Sequence, residues 1–163
     1  MSIQDWGAIG ELLSAAAIFV TLLYLATQIK YARLTAMDIN RTNRVVGIRD
    51  LNGVIATNAD ARAAWNKAIG PEYRRLHTDI AESLNLSFNE ASIVISQGAN
   101  WGYTHWAQYR SLKSPEDEEE LKNIVKVWYS ENPMSTLLSH DNFRAFFLAD
   151  FVSWLDEVVT GGD

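Results

Sequence analysis

Cysteine is absent from this sequence of 163 residues, and proline occurs only three times, at positions 71, 115 and 133. The absence of cysteine excludes disulfides, thiolate zinc sites, iron–sulfur ligation and cysteine nucleophiles. No long run of alternating β-branched residues appears, and the scarcity of proline leaves long stretches free to form helices. The hydrophobic fraction of 48% is enough for a packed core. Because helices are favoured and strands are not, the sequence predicts an all-α fold.

Basic side chains are missing from the first 29 residues, which carry only two acidic ones, Asp5 and Glu11. Residues 30–50 then hold five basic and two acidic side chains, whereas residues 59–163 hold nine basic and sixteen acidic ones. An acidic domain repels the phosphate backbone, and no basic stripe with interleaved aromatic residues compensates for this charge. Nucleic-acid binding is therefore not expected.

The longest uncharged run extends from Leu12 to Ile29, between Glu11 and Lys30. As a helix it is roughly 27 Å long, close to the thickness of the hydrocarbon core of a bilayer. The basic residues follow this run and none precedes it, which predicts that the N-terminus lies outside and the C-terminal part in the cytoplasm. The acidic start is unlike a secretory signal. The alternatives are a core or interface helix of a soluble protein and a peripheral helix.

Helical periodicity continues beyond the uncharged run, and no proline interrupts it before residue 71. Apolar residues recur there at Val45, Ile48, Leu51 and Ile55. We therefore expect a membrane anchor over residues 1–33 (span about 9–29), a helical stalk over 34–58 and a small helical bundle over 59–163.

Capping signals divide the bundle into helices. Asn58 and Asp60 are typical caps, Ser87 and Glu90 form a capping box, and Ser114 precedes a proline and two acids. The predicted helices cover about 61–69, 71–84, 88–112, 115–130 and 141–159, the last of them capped by Asp141.

The stretch "GANWGYTHWAQY", residues 98–109, has two glycines four residues apart on the apolar face of a helix. Glycine costs a helix about 1 kcal/mol relative to alanine, so two of them indicate a close approach of another helix. The candidate residues for helix packing or a partner interface are Gly98, Trp101, Gly102, His105, Trp106 and Tyr109. Three interpretations remain open: a tightly packed core, a protein–protein interface, and a ligand pocket.

His105 lies on this apolar face, where a hydrogen-bonded core histidine is more common than a haem or metal ligand. A metal site in a bundle requires facing Glu-x-x-His pairs or an equivalent cluster, which the sequence lacks. Ser139-His140-Asp141 has the letters of a catalytic triad, but adjacent residues point apart. We therefore expect no catalytic residue, no metal, no cofactor and no enzymatic activity.

Small and hydroxylated residues lower the hydrophobicity of the uncharged run. Such residues are typical of membrane helices that pack against one another. The candidate packing face in the span consists of Ser14, Ala15, Ile18, Thr21 and Leu22.

Two short segments frame the span: Ile9-Gly10-Glu11-Leu12, and Tyr24-Leu25-Ala26-Thr27-Gln28-Ile29-Lys30. In these segments the chain resembles a group of small uncharacterised bacterial proteins with one N-terminal transmembrane helix. A looser likeness continues through "LSFNEA", "THWAQYRSL" and "DNFRAFFLADFVSWLDEVV", and the chain departs from the pattern at Tyr31-Ala32. The resemblance implies a membrane-anchored helical domain in the inner membrane of a bacterium. It implies no activity.

The sequence as a whole predicts a non-enzymatic single-pass membrane protein that acts as an accessory, assembly or scaffolding subunit. Its expected partners are the lipid bilayer and other transmembrane helices, in a homo-oligomer or a larger membrane complex. The alternative is a binding module whose bundle holds a lipid, quinone or other apolar ligand, in a cavity of a few hundred cubic ångströms beside Gly98, Gly102, Trp106 and Tyr109.

Overall fold

The computed structural model describes residues 3–112 and 114–161. Over these residues the chain forms eight helices and no strand, so the predicted all-α fold is confirmed. In chain order the helices are α1 (Ile3–Thr57), α2 (Ala59–Ala68), α3 (Pro71–Leu84), α4 (Phe88–Tyr109), α5 (Pro115–Tyr129), α6 (Met134–Leu138), α7 (Asp141–Arg144) and α8 (Ala149–Thr160).

The first helix, α1, runs for 55 residues without a break, which confirms that the apolar helix continues through residues 34–57. It contains no proline, and an added Cβ at Gly47 or Gly53 would meet no other atom within 4 Å. The chain divides into two compact units, Met1–Arg41 and Thr42–Asp163, which we term the N-terminal unit and the helical domain. The boundary between them falls within the stretch predicted as a stalk.

Local capping determines where α2 to α5 begin. The side chain of Asn58 accepts hydrogen bonds from the backbone N–H groups of Asp60 and Ala61, which starts α2 two residues earlier than predicted. Pro71 is the first residue of α3, as predicted. A cap satisfies N–H groups that have no partner inside the helix. Each of these helix starts is therefore determined by residues within about one turn of it.

The capping box that starts α4 is present. The Ser87 N–H donates to Glu90 Oε2 at 2.8 Å, and the Glu90 N–H donates to Ser87 Oγ at 3.3 Å. The pKa of Glu90 lies below its ordinary value because the Ser87 side chain and backbone stabilise the carboxylate. At α5, Ser114 Oγ accepts from the Asp117 N–H at 3.1 Å. Both predicted helix starts are therefore confirmed.

The prediction of one last helix over residues 141–159 is wrong. The chain forms α7 and α8 there instead, with α6 before them, and His140 rather than Asp141 precedes the first turn of α7. Arg144 donates two hydrogen bonds to the carboxylate of Asp156, at 2.9 and 2.6 Å. In a continuous helix these residues would be separated by about 18 Å along the axis, so the break is what brings them together.

The core of the helical domain is built around α4, which contacts α2, α3, α5 and α6. Fully buried side chains come from helices on all sides of it: Leu76 and Ile80, Val125 and Tyr129, Leu137, Phe143, Phe151 and Leu155. This arrangement gives α4 two different faces, one turned to α6 and the phenylalanines and the other to α2 and α3.

Candidate functional site

Both glycines of α4 pack against side chains, Gly98 against α6 and Gly102 against Phe147, which lies between α7 and α8. A Cβ at Gly98 would collide with Cδ1 of Leu137, and one at Gly102 would collide with the ring of Phe147. Met134 Sδ and Phe143 Cζ also lie 3.4 Å from the position that a Cβ would take at residue 98. Side chains fill the space beside the two glycines, so the ligand cavity predicted next to them is not there.

His105 is 2% exposed, and its Nδ1 lies 3.0 Å from the hydroxyl oxygen of Tyr129. Its ring also stacks on Trp101, with centroids 5.7 Å apart. Burial lowers the pKa of His105 to about 4 and raises the pKa of Tyr129 above its ordinary value. The pair is therefore neutral at physiological pH. Within the described part of the chain, no three His, Asp or Glu residues are grouped closely enough to hold a metal ion.

The remaining predicted residues of α4 lie in different surroundings. Trp101 is 40% exposed and stacks on Trp128 at a centroid distance of 4.7 Å. Tyr109 packs against Phe151 and Trp154. Trp106 is partly buried against the core, and among the described residues its Nε1 has no hydrogen-bond partner. The structure thus does not bring these aromatic residues together into one site.

The N-terminal unit exposes every side chain from Leu12 to Ile29, among them the predicted packing face of Ser14, Ala15, Ile18, Thr21 and Leu22. The hydroxyl of Thr21 donates to the carbonyl oxygen of Ala17 at 2.8 Å, and that of Thr27 donates to Tyr24 at 2.6 Å. Each threonine hydroxyl therefore has its hydrogen-bond acceptor within the helix and needs no water molecule as a partner.

Sequence reasoning missed an open cavity of about 460 Å³ in the helical domain. Its lining comes from the C-terminal part of α1, from α2, α3 and α4, and from Phe146. On α4 the lining residues are Ser92, Ile95, Ser96, Ala99 and Tyr103, and neither glycine is among them. They include three small residues, Ser92, Ser96 and Ala99, whose spacing of four and three places them on one side of the helix. That small-residue spacing was the available signal in the sequence.

Hydrogen bonds fix the polar residues around this cavity. Ser92 Oγ donates to Asn66 Oδ1 at 3.1 Å, and Asn66 Nδ2 donates to Asn89 at 2.9 Å. His77 Nδ1 lies 2.7 Å from the carbonyl oxygen of Tyr73. Desolvation is the main reason that the pKa of His77 lies below its ordinary value. The cavity thus has a few fixed polar groups in a largely apolar wall, which is typical of small-molecule sites.

A second feature that the sequence did not reveal is a cluster around Asp79. Its Oδ2 lies 2.8 Å from Nε2 of His140, which is 61 residues away in the chain, and 3.8 Å from Nε of Arg75. The cluster joins α3 to the start of α7. In the sequence, His140 stands between Ser139 and Asp141, and no local pattern there indicates its contact with Asp79.

By length and composition, one helix in the described part of the chain could cross a membrane, in the stretch Ile9–Thr57. The fold and this helix together define the class: an all-α protein with one candidate membrane span. No protein-family model, curated protein or solved structure matches the chain. Any more specific function therefore has to be argued from the residues themselves.

The buried state of His105 predicts that acid destabilises the helical domain. Its folded pKa of about 4 lies below the ordinary value of 6.5, so between these values the unfolded chain binds a proton that the folded chain excludes. The stabilisation is complete above pH 6.5 and is lost as the pH falls towards 4, by up to about 3 kcal/mol. His77 contributes in the same direction.

Urea unfolding between pH 4 and 7 checks this prediction. In His105→Gln the slope of unfolding free energy against pH should become shallower by up to about 1.4 kcal/mol per pH unit. Tyr129→Phe, which keeps the imidazole and removes only the hydroxyl group, should retain the wild-type slope. An unchanged slope in His105→Gln would show that this histidine is not buried in the neutral form.

Proposed function

We propose that the protein is a non-enzymatic, single-pass membrane protein of the bacterial inner membrane. Its residues 9–29 cross the bilayer, its N-terminus is outside and its helical domain is in the cytoplasm. It acts as an accessory or scaffolding subunit that associates through its membrane helix, with a second copy or with other subunits of a membrane complex. The single observation that carries this proposal is the exposed apolar surface of the N-terminal unit.

That surface is too large to be left in water. Leu12 is 73% exposed and Ile18 is 61% exposed, and large apolar side chains of similar exposure follow at Phe19, Val20, Leu22, Leu23 and Leu25. Removing one such side chain fully from water is worth about 1.5–3 kcal/mol. The sum over the helix is comparable with the whole stability of a typical domain, about 5–15 kcal/mol. A bilayer would supply the missing apolar surroundings along residues 9–29.

The polar groups of the span are compatible with a bilayer. An α-helix satisfies its own backbone groups, as any segment in the hydrocarbon region must. Thr21 and Thr27 add hydroxyl groups that donate to carbonyl oxygens of the same helix. Orientation follows from charge, since the five basic residues that come after Ile29 favour the cytoplasmic side.

The small residues of the span are the reason for proposing that this helix associates with another membrane helix. The bilayer is as apolar as leucine, so membrane helices associate through close packing rather than hydrophobicity, and small side chains allow that approach. Ser14, Ala15 and Thr21 lie on one side of the helix together with Ile18 and Leu22. Their side chains are exposed in the structure and are available to a neighbouring helix.

Substituting leucine for alanine on the two sides of the span tests this association. Ala15→Leu enlarges the packing face, whereas Ala16→Leu makes the same change at a position turned by about 100° away from it. We expect Ala15→Leu to weaken association by roughly tenfold, since extra methylene groups in a close contact typically cost about 1–3 kcal/mol, and Ala16→Leu to leave association unchanged. The measurement is native electrophoresis after extraction in a mild detergent. A wild-type protein that migrates only as a free monomer would contradict the proposal.

A further inference from the structure

The cavity of about 460 Å³ in the helical domain has the volume of a small-molecule site. Four of the residues that line it, Leu51, Val54, Trp65 and Tyr73, have exposed apolar side chains. An apolar molecule that entered here would cover both the wall of the cavity and these residues.

None of the fourteen residues that line the cavity is an aspartate, glutamate, lysine or arginine. Transfer of an unpaired charge from water to such surroundings is costly, and here no side chain of opposite charge compensates for it. A carboxylate, a phosphate or an ammonium group is therefore disfavoured inside the cavity. The lining selects a neutral molecule.

Two buried polar side chains in the lining are available to a ligand. Ser96 is 9% exposed and lines the cavity, and its hydroxyl group forms no hydrogen bond with any described residue. His77 is 4% exposed and lies near the carbonyl oxygen of Tyr73, which can only accept. Nδ1 of the neutral ring therefore carries the proton, and Nε2 is left as an acceptor without a partner among the described residues.

We infer that this cavity binds a neutral, largely apolar alcohol or phenol, whose hydroxyl group donates to His77 Nε2 and accepts from Ser96 Oγ. A hydroxyl group satisfies both side chains at once because it is donor and acceptor together. A ketone or quinone oxygen satisfies only Ser96, since it cannot donate. The inference does not depend on the proposed membrane association, because it concerns the helical domain alone.

Quenching of tryptophan fluorescence by brominated probes tests the inference, because Trp65 lines the cavity. The full chain in lipid nanodiscs is titrated with bromoundecanol, bromoundecanoate and bromoundecane. We expect saturable quenching by the alcohol, with weaker binding of the alkane and of the carboxylate. Trp65→Phe should remove the saturable component and leave only quenching by probe dissolved in the bilayer.

Two substitutions separate specific binding from adsorption. Leu51→Arg places a charge in the lining of the cavity and should weaken alcohol binding by roughly tenfold or more, since the charge loses water when the ligand enters. Leu148→Arg is the matched control, because Leu148 is also exposed but does not line the cavity. Ser96→Ala should weaken binding of the alcohol by roughly fivefold and leave binding of the alkane unchanged.

Several outcomes would overturn the inference. Quenching that never saturates, or that is equal in Leu51→Arg and Leu148→Arg, would show that the probe adsorbs without entering the cavity. Tighter binding of bromoundecanoate than of bromoundecanol would show that the site selects an anion. An equal loss of alcohol and alkane binding in Ser96→Ala would remove the assigned role of the hydroxyl group.

Discussion

Leucine at position 98 is expected to lower the free energy of unfolding of the helical domain by about 3 kcal/mol. Even a single Cβ at Gly98 would collide with Leu137, and Met134 and Phe143 lie at van der Waals distance on either side. All three neighbours are buried, so they have little room to move. Leucine adds three further carbon atoms, which forces side chains from their preferred rotamers or displaces α6 from α4.

Gly47→Leu is the matched control for this change. Gly47 is also inside a helix, but apart from the neighbouring backbone of α1, no atom of the described residues lies within 4 Å of its Cβ position. Replacement of glycine gains up to about 1 kcal/mol of helix propensity at either position. The difference between the two variants therefore isolates the collision. The measurement is urea unfolding of the full chain, followed by circular dichroism. Equal midpoints for Gly98→Leu and the wild type would show that α6 does not pack closely against α4.

Helices whose ends depend on neighbouring residues could be predicted from the sequence. Ser87 and Glu90 satisfy each other's backbone groups, and Pro71 supplies a backbone angle already suited to the first turn. These interactions span three residues or fewer, so the pattern contains all the information. The start of α5 at Pro115 follows from the same local chemistry.

The break between α7 and α8 depends on contacts that periodicity does not record. Phe143, Phe147 and Phe151 are spaced four apart, which is typical of one face of a continuous helix. The pairing of Arg144 with Asp156 and the packing of Phe147 onto Gly102 exist only in the folded domain. Tertiary packing therefore overrides local helix preference at this point.

In the candidate site, too, local patterns could be predicted from the sequence and long-range contacts could not. The spacing of Gly98 and Gly102 predicted a close approach, but not that Leu137 and Phe147 would fill it. The cavity is lined by residues from position 48 to position 146, so no local window contains it. Only the portion on α4, with Ser92, Ser96 and Ala99, had a readable pattern. The buried His77, four residues after Tyr73, gave no signal until the fold placed both beside the cavity.

The second large effect tests whether residues 9–29 span a bilayer and, if so, on which side of it each end of the chain lies. The absence of cysteine means that a single introduced thiol reports on one position only. Gly7→Cys lies before the uncharged run, at an exposed position where an added Cβ meets no other atom. Ser153→Cys is exposed on α8 of the helical domain. If residues 9–29 span the bilayer, these two thiols are on opposite sides of it.

Labelling of intact bacteria with a membrane-impermeant maleimide tests this claim most directly. With the outer membrane permeabilised, we expect near-complete labelling of Gly7→Cys and labelling of Ser153→Cys only after the inner membrane is disrupted. The basic residues after Ile29 are the physical reason for this orientation. Equal labelling of both thiols, the reverse pattern, or recovery of the protein in the soluble fraction would contradict it.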